Sequence, residues 1–220
     1  KLDGSDMRNT NLFGASFIHV DFTKIKNKSL AGSDLSNTSF LLSNLSGINL
    51  SGVILDGTNF WKADLSGVNF TVTDNIIDGI SFKKANLSNS NFEGVNLSPT
   101  EYFTTTFKNK AHLKNLHHNL IVTNLFDDFA NILVLSTEVR GNDLVVDYIY
   151  YTSFTGANLE NANFKNADLK FTDFYLANLA NADLSGADLR KAFLGGADLS
   201  NANLDGAILD GAILNCLNHP

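Results

Sequence analysis

A five-residue period is the feature that most constrains how this chain can fold. Residues 157–169 spell ANLENANFKNADL. A small and a large apolar residue each return at every fifth position there, at Ala157, Ala162 and Ala167 and at Leu159, Phe164 and Leu169. An α-helix buries residues at a period of about 3.6 and a strand alternates at a period of about 2, so neither keeps the large residues on one face. The backbone must therefore change direction once in every five residues.

The period covers most of the chain. It runs without a break from Phe154 to Leu214, usually with Ala two residues before each Leu or Phe and with Asp or Asn between. The first half repeats the pattern, with phase slips of three residues at Thr23–Lys24 and of two residues near 71–75. We interpret both slips as loops or bulges.

The regular pattern sets the predicted boundaries. In the first half it fades through Tyr102 and Phe107, which places the first repeat region at 1–107. The second region spans 152–217 and leaves a tail at 218–220. Between the two regions the period is lost.

Residues 108–151 are predicted to form an irregular insertion. Leu113, Leu116 and Leu120 have helical spacing, and the run ILVLSTEVRGNDLVVDYIYY predicts a hairpin that turns at Gly141-Asn142. Fragments such as Asn119-Leu120 keep the alternative of degenerate coils open. We favour a helix followed by a hairpin.

The motif A-[DN]-[LF]-x-x resembles the pentapeptide-repeat family over residues 1–107 and 152–217. The resemblance implies an all-β fold, a right-handed quadrilateral β-helix. In this fold each pentapeptide forms one side of a square, and four sides form a coil of twenty residues. Steric needs agree, because each side requires a bulky inward residue and a small one near the corner. Successive coils would stack about 4.8 Å apart, as neighbouring strands do.

Composition argues against several classes of function. The net charge is -7 and no basic stretch occurs, so we expect no direct binding of nucleic acid. No apolar run reaches the roughly 18 residues of a membrane span. We find no nucleophile motif, phosphate loop or metal-ligand spacing, and we expect no catalytic, cofactor or metal site. Because the chain begins at Lys1, we expect a trimmed or processed chain; its localisation stays open, and a targeting segment could have been removed.

Apolar residues at positions that should face outward are the candidate contact sites. Residues twenty apart should stack on the same face of neighbouring coils, and stacked apolar residues form a contiguous patch of the kind that marks interaction surfaces. The first patch pairs Leu41 with Trp61, and Leu42 lies beside them. The second pairs Phe193 with Ile213, and Ile208 lies on the adjacent face. Each patch is predicted to contact a partner or the irregular segment.

Three functions compete. The first is a non-enzymatic scaffold that mediates protein–protein interaction through its outer faces and the 108–151 segment. The second follows from the resemblance, since some family members imitate duplex DNA and bind DNA gyrase or topoisomerase IV. DNA as long as the predicted rod would carry about 25 charges, against a net charge of -7 here, so the imitation is weak. The third is an accessory domain of a larger multidomain protein.

The C-terminal end predicts a homodimer. The repeat stays regular to Leu214, so the last coil would expose unpaired backbone groups and part of the apolar core. Phe193, Ile208 and Ile213 gather near the same end. Two chains that meet there would bury both features, with the alternative of a monomer whose tail folds back.

Overall fold

The computed structural model describes residues 2–71, 79–110 and 131–215. In these ranges the chain winds into stacked coils that are joined by parallel backbone bridges. Bridge partners in regular coils, such as Asn158 and Asn178, lie 20 residues apart. Each coil therefore contains four five-residue sides, as predicted, whereas the right-handed sense of the winding stays a prediction.

Backbone hydrogen bonds in both axial directions hold each coil. The Phe60 N–H donates to the Ser81 carbonyl of the next coil at 2.7 Å, and the Asn59 N–H donates to the Thr38 carbonyl of the previous coil at 2.9 Å. A third bond closes the turn, from Ala63 N–H to the Phe60 carbonyl at 2.9 Å. The repeat thus satisfies its backbone polar groups without long strands.

The large inward residues form four columns along the rod, which we call sides A to D. They include, for side A, Phe17, Phe40, Phe60, Phe82, Phe154, Phe174, Leu194 and Leu214; for side B, Phe22, Leu45, Leu65, Leu87, Leu159, Leu179 and Leu199; for side C, Met7, Leu30, Leu50, Phe70, Phe92, Phe164, Leu184 and Leu204; and for side D, Leu12, Leu35, Leu55, Leu97, Leu169, Leu189 and Leu209. Most of these side chains are fully buried and form one continuous core.

Side A carries a ladder of phenylalanine rings. Phe40 stacks on Phe60 with 5.2 Å between ring centroids, and Phe82 stacks on Phe154 at 4.9 Å. These separations are close to the spacing of the coils and lie in the range that favours offset stacking. The ring ladder continues across the point at which the insertion interrupts the sequence.

The second residue after most of the large inward residues has a left-handed backbone. Asn161 has a φ of 58° and Gly186 a φ of 68°, and the same conformation recurs around the rod. Glycine and asparagine adopt it most readily, because other side chains crowd the following carbonyl. This requirement explains why Asn and Gly are frequent at that position.

The first predicted slip is a short irregular turn. Two 3-10 helices, Phe22–Lys24 and Lys26–Lys28, follow one another, and bridge spacing is 23 residues before them and 20 after. Three residues are thus added, as predicted. The second slip falls on residues 72–78, which lie outside the described residues; the flanking coils have a spacing of 22.

A large segment leaves the rod between sides D and A. From Ser81–Ser153 to Asn96–Asp168 the bridge spacing is 72 rather than 20, so 52 residues are added to one coil. The added segment contains the strands β1 (Phe103–Phe107), β2 (Ile132–Arg140) and β3 (Asp143–Tyr150). They form an antiparallel sheet in the order β1-β3-β2.

The sheet has a small core of its own. Ile132, Val134, Leu144, Val146 and Tyr148 are buried together, apart from the core of the coils. The β2–β3 hairpin turns at residues 141–142, where the sequence predicts it. The helix predicted around residues 113–120 lies outside the described residues.

The structure moves the predicted boundary at residue 107. Phe103–Phe107 form β1, which pairs with β3, and Tyr102 is largely exposed rather than inward. The last inward residue before the departure is Leu97. Pro99 then occupies the position that needs a left-handed backbone, which the proline ring forbids. The coil therefore cannot continue through Pro99, and the spacing of Tyr102 and Phe107 is a coincidence.

This register predicts a minimal rod. Deletion of residues 100–151 would place Phe154 five residues after Leu97, and Pro99→Asn would supply a residue that accepts the left-handed turn. We expect this variant to remain folded, with β-type circular dichroism and a cooperative thermal transition. The matched control is the same deletion with Pro99 retained, which should be less stable. Loss of the cooperative transition in the Pro99→Asn deletion would show that the inserted sheet is needed to hold the coils together.

Candidate functional site: side A and its turns

The turns after side A form a continuous column, which we call turn A. Its residue pairs are Ile18–His19, Leu41–Leu42, Trp61–Lys62, Lys83–Lys84, Thr155–Gly156, Tyr175–Leu176 and Gly195–Gly196. Hydrogen bonds join each pair to the next, for example from Leu42 N–H to the Trp61 carbonyl at 3.1 Å and from Lys62 N–H to the Lys83 carbonyl at 3.0 Å. Seven coils therefore present these side chains along one corner of the rod.

The predicted contact residues lie almost all on this part of the rod. Leu41, Leu42 and Trp61 belong to turn A. Phe193 and Ile213 are bridge partners at the outward position of side A, about four coil steps, or about 19 Å, from Trp61. Ile208 lies outward on side D and bridges to Asp188. The structure thus brings five of the six residues to one side, although it separates them into two groups.

Three exposed apolar residues of turn A have no counterpart in the sequence prediction. Ile18, Tyr175 and Leu176 are each more than half exposed. The spacing from Ile18 to Leu41 is 23 residues, and the 52 inserted residues separate Lys83 from Thr155, so a search at twenty-residue spacing misses them. The ladder of side A phenylalanines is the signal that could have aligned them.

Backbone strain is concentrated in turn A. Apart from Asn, the residues other than glycine that have positive φ among the described residues are His19, Lys28, Leu42, Lys62, Lys84, Phe171, Leu176 and Lys191. Five of these eight belong to turn A. The left-handed conformation costs a residue with a Cβ about 1–2 kcal/mol. Turn A therefore keeps bulky side chains where Asn or Gly would be more stable.

The outward position of side A also departs from the usual hydrogen bonding. An Asp or Asn there accepts the N–H two residues later, as Asn59 does from Trp61 at 2.9 Å and Asp173 does from Tyr175 at 2.8 Å. Phe193 and Ile213 offer no acceptor to the corresponding turns. Such a bond contributes about 1 kcal/mol, so these apolar residues are retained without that local stabilisation.

Positive charge lies in the middle of turn A. Lys62 Nζ sits 4.8 Å from the ring centroid of Trp61. Burial lowers the pKa of Lys83, and the nearby Asp173 carboxylate opposes that shift. Within the described ranges, Lys62, Lys83 and Lys84 make no ion pair.

The side chains of turn A lean toward the next coil in the C-terminal direction. A Cβ placed on Gly195 would lie 3.2 Å from Tyr175 Cδ2, and one on Gly196 would lie 2.7 Å from Leu176 Cδ2. Tyr175 and Leu176 therefore rest on a pair of glycines, which lets them lie flat along the corner.

The inserted sheet attaches beside side A. The Asn131 side-chain N–H donates to the Ile80 carbonyl at 2.9 Å, just before the outward Ser81. Tyr150 packs against Gly79, whose added Cβ would lie 3.3 Å from the Tyr150 Cβ. Burial raises the pKa of the Tyr151 phenol to about 12, with a further contribution from Asp173. The insertion therefore attaches at the N-terminal end of the five-residue side that contains Phe82. Turn A lies at the C-terminal end of the same side.

Acidic residues of side D are paired with basic residues. Lys170 Nζ lies 2.7 Å from Asp168 Oδ2, and Arg190 Nη2 lies 2.6 Å from Asp188 Oδ2. The hydrogen bond from the Arg190 side chain is the main cause that holds the pKa of Asp188 below its usual value. This face therefore presents alternating charges rather than a continuous negative strip.

Among the described residues, the N–H groups of the C-terminal coil lack partners in a following coil. No hydrogen bond from the N–H groups of Leu199, Leu204 or Leu209 is found to any described residue, whereas the same groups one coil earlier bond to the next coil. The side chains of Leu204 and Leu209 are only partly buried, and that of Leu214 is 36% exposed. Residues 216–220 lie outside the described part of the chain.

The described ranges offer neither a metal cluster nor a membrane-spanning helix. No group of three or more His, Cys, Asp or Glu side chains in these ranges could hold a metal ion. None of the helices described is long and apolar enough to cross a membrane.

The solved structure of QnrB1 agrees with the coil architecture, and that of HetL is also similar in sequence. QnrB1, a plasmid-mediated fluoroquinolone resistance protein solved as a trypsin-treated point variant, matches with a TM-score of 0.56 and 15% identity over 96% of this chain and 80% of that chain. HetL, a pentapeptide repeat protein involved in heterocyst differentiation regulation in the cyanobacterium Nostoc sp. strain PCC 7120, matches with a TM-score of 0.31 and 24% identity over 98% and 85%. No curated protein sequence matches significantly.

The sequence also matches a family model over most of its length. The model describes pentapeptide repeats, and 8 copies cover residues 1–26, 33–71, 76–98, 150–179 and 177–215. The gap from 99 to 149 coincides with the segment that leaves the coils. The chain belongs to the pentapeptide-repeat family.

Proposed function

We propose that this chain is a non-enzymatic β-helical scaffold that binds a protein partner through side A and turn A, with the inserted sheet beside them. The observation that carries the proposal is the collection of outward apolar side chains on one side of the rod. Trp61, Tyr175 and Phe193 all lie there, although the 52 inserted residues separate the first from the other two in sequence. Exposed apolar side chains gathered on one side of a protein commonly mark interaction sites.

Local energetics support the proposal. Leu42 and Leu176 occupy left-handed positions that Asn and Gly fill elsewhere, and Phe193 replaces a turn-capping carboxylate or amide. Each departure lowers the stability of the isolated rod by about 1 kcal/mol. Residues that are retained against local stability commonly serve function.

We predict that Leu42→Asn combined with Leu176→Asn separates stability from binding. Asn tolerates the left-handed turn, so the free energy of unfolding in urea should stay equal or rise by up to about 1 kcal/mol for each substitution. Capture of partners by the immobilised protein from lysate of the source cells should fall, as measured by quantitative mass spectrometry.

The matched control changes turns of the opposite side C. The control variant carries Lys165→Ala and Glu93→Ala, two substitutions of exposed residues on that side, as many as in the turn A variant. It should capture the same partners as the wild-type protein. Unchanged capture by the Leu42→Asn and Leu176→Asn variant, or an equal loss in the side C variant, would argue against side A as the binding face.

The alternative is a DNA-mimicking binder of DNA gyrase or topoisomerase IV. The fold likeness to QnrB1, a fluoroquinolone resistance protein, is what favours it. The charges do not, because Asp168 and Asp188 are neutralised by Lys170 and Arg190 and the net charge is only -7. The scaffold therefore remains the first proposal.

A supercoiling assay separates the two functions. We expect micromolar wild-type protein to leave gyrase supercoiling and its quinolone sensitivity unchanged. If inhibition is observed, the triple variant Asp168→Lys, Asp188→Lys and Asp198→Lys should reduce it only modestly, since two of these carboxylates are already paired. Loss of most of an observed inhibition in the triple variant would favour the DNA-mimic function.

We also infer a homodimer through the C-terminal coil. Its open N–H groups and partly exposed Leu204, Leu209 and Leu214 would be buried if two chains met end to end. Phe193 and Ile213 lie in the last coils of side A, at the rim of such a contact.

Light scattering at micromolar concentration tests the dimer. The wild-type protein should give twice the monomer mass of 23.9 kDa, and Phe193→Asp with Ile213→Asp should shift it toward the monomer, because two carboxylates would be desolvated in each chain. A control with Asp205→Asn, in a turn of side C, should stay dimeric. A monomeric wild type, or a dimer unaffected by the two Asp substitutions, would refute the inference.

A further inference from the structure

Turn A has an ordered chemical sequence along the rod. After the first pair, Ile18–His19, it presents an aliphatic and an aromatic turn, Leu41–Leu42 and Trp61–Lys62, followed by Lys83–Lys84. The small pair Thr155–Gly156 comes next, then Tyr175–Leu176, and the glycine pair Gly195–Gly196 ends the series. A basic step therefore lies between two apolar steps. A ligand that fits this corner needs the complementary order of groups.

The spacing of these steps matches an extended peptide. Trp61 and Tyr175 are three coil steps apart, or about 14 Å at about 4.8 Å per step. Two residues four positions apart in an extended strand are separated by about 13.6 Å, at about 3.4 Å per residue, and point to the same face. The residue midway between them would lie near Lys83–Lys84.

The charges indicate what the middle residue must be. Lys62, Lys83 and Lys84 make no ion pair with the described residues, in a protein whose net charge is -7. The stem of Lys84 lies over Gly156 of the next coil, with its Cγ 3.5 Å from a Cβ placed there. An acidic group is the complement of this cluster.

We propose that turn A binds an extended segment of a partner protein in which an acidic residue lies between two apolar residues. The apolar residues pack on Trp61 and Tyr175, and the acidic residue pairs with the lysine cluster Lys62, Lys83 and Lys84. This proposal rests on the proposed function, because it names the chemistry of the partner that side A binds. Turn A contributes only two residues in each coil, a width that suits a single extended chain.

Trp61 makes the proposal directly measurable, because it is the only tryptophan of the chain and lies at the proposed site. The probe is a twelve-residue synthetic peptide whose centre is Leu-Ser-Glu-Ser-Phe between Gly-Ser flanks. Matched probes carry Gln or Lys in place of the Glu. We expect the Glu probe to change the Trp61 fluorescence and to bind about threefold to tenfold more tightly than the Gln probe, with the Lys probe weakest.

Charge reversal in the protein provides the second arm. Lys62→Glu with Lys84→Glu changes two exposed residues and should reverse the preference, so that the Lys probe binds more tightly than the Glu probe. The control, Lys165→Glu with Lys191→Glu, makes the same change in net charge elsewhere, and Lys191 shares the left-handed backbone of Lys84. It should keep the preference for the Glu probe. Circular dichroism checks that each variant is folded, and the preference of the wild type should shrink at 1 M salt.

The outcomes are distinct. Equal binding of the Glu, Gln and Lys probes would overturn the acidic requirement while leaving side A as a binding face. No fluorescence change with any probe up to millimolar concentration would overturn a peptide ligand of this class, and the capture experiment would still decide the proposed function. A response to vesicles of anionic lipid but to no probe would assign turn A to a membrane surface instead.

Discussion

The structure depends on a turn that must be left-handed once in every five residues. Each turn changes the direction of the chain between one side and the next. On a regular side, the N–H of the large inward residue donates to the next coil and the N–H of the preceding residue donates to the previous coil. A strand inside a sheet also alternates its N–H groups between two neighbours, but here each side is only five residues long before the chain turns. The inward column of Leu and Phe then follows, because only one large side chain per side can reach the axis.

The same constraint explains where the rod is interrupted. Pro99 stands at a left-handed position that its ring cannot adopt, and the chain leaves the coils there to form β1, β3 and β2 before it re-enters at Thr152. The interruption adds residues without disturbing the stack, since Phe82 and Phe154 remain in ring contact across it. A solenoid tolerates such an insertion because each coil contacts only its neighbours.

Much of this architecture could be predicted from the sequence, and the limits have physical causes. The thirteen regular repeats from Phe154 indicated the coil, its core and the outward apolar residues, because steric demands recur at every step. The end of the first region at residue 107 was placed wrongly, since Tyr102 and Phe107 keep the period by chance while β1 packs on another core. The alignment of Trp61 with Tyr175 could not be predicted either, because it depends on which side of the rod the chain occupies when it re-enters the coils after the insertion.

These constraints also determine where specificity can reside. Inward positions are fixed by packing, and most outward Asp and Asn residues are engaged in capping the next turn, so neither is free to vary without a loss of stability. The turn residues remain, and most of them are small or polar. Turn A is different, because bulky aliphatic, aromatic and basic side chains hold left-handed or exposed positions there and lie next to the base of the inserted sheet. The regular coil spacing therefore fixes the distances between side chains along the rod. Turn A is the corner at which those side chains are bulky or charged.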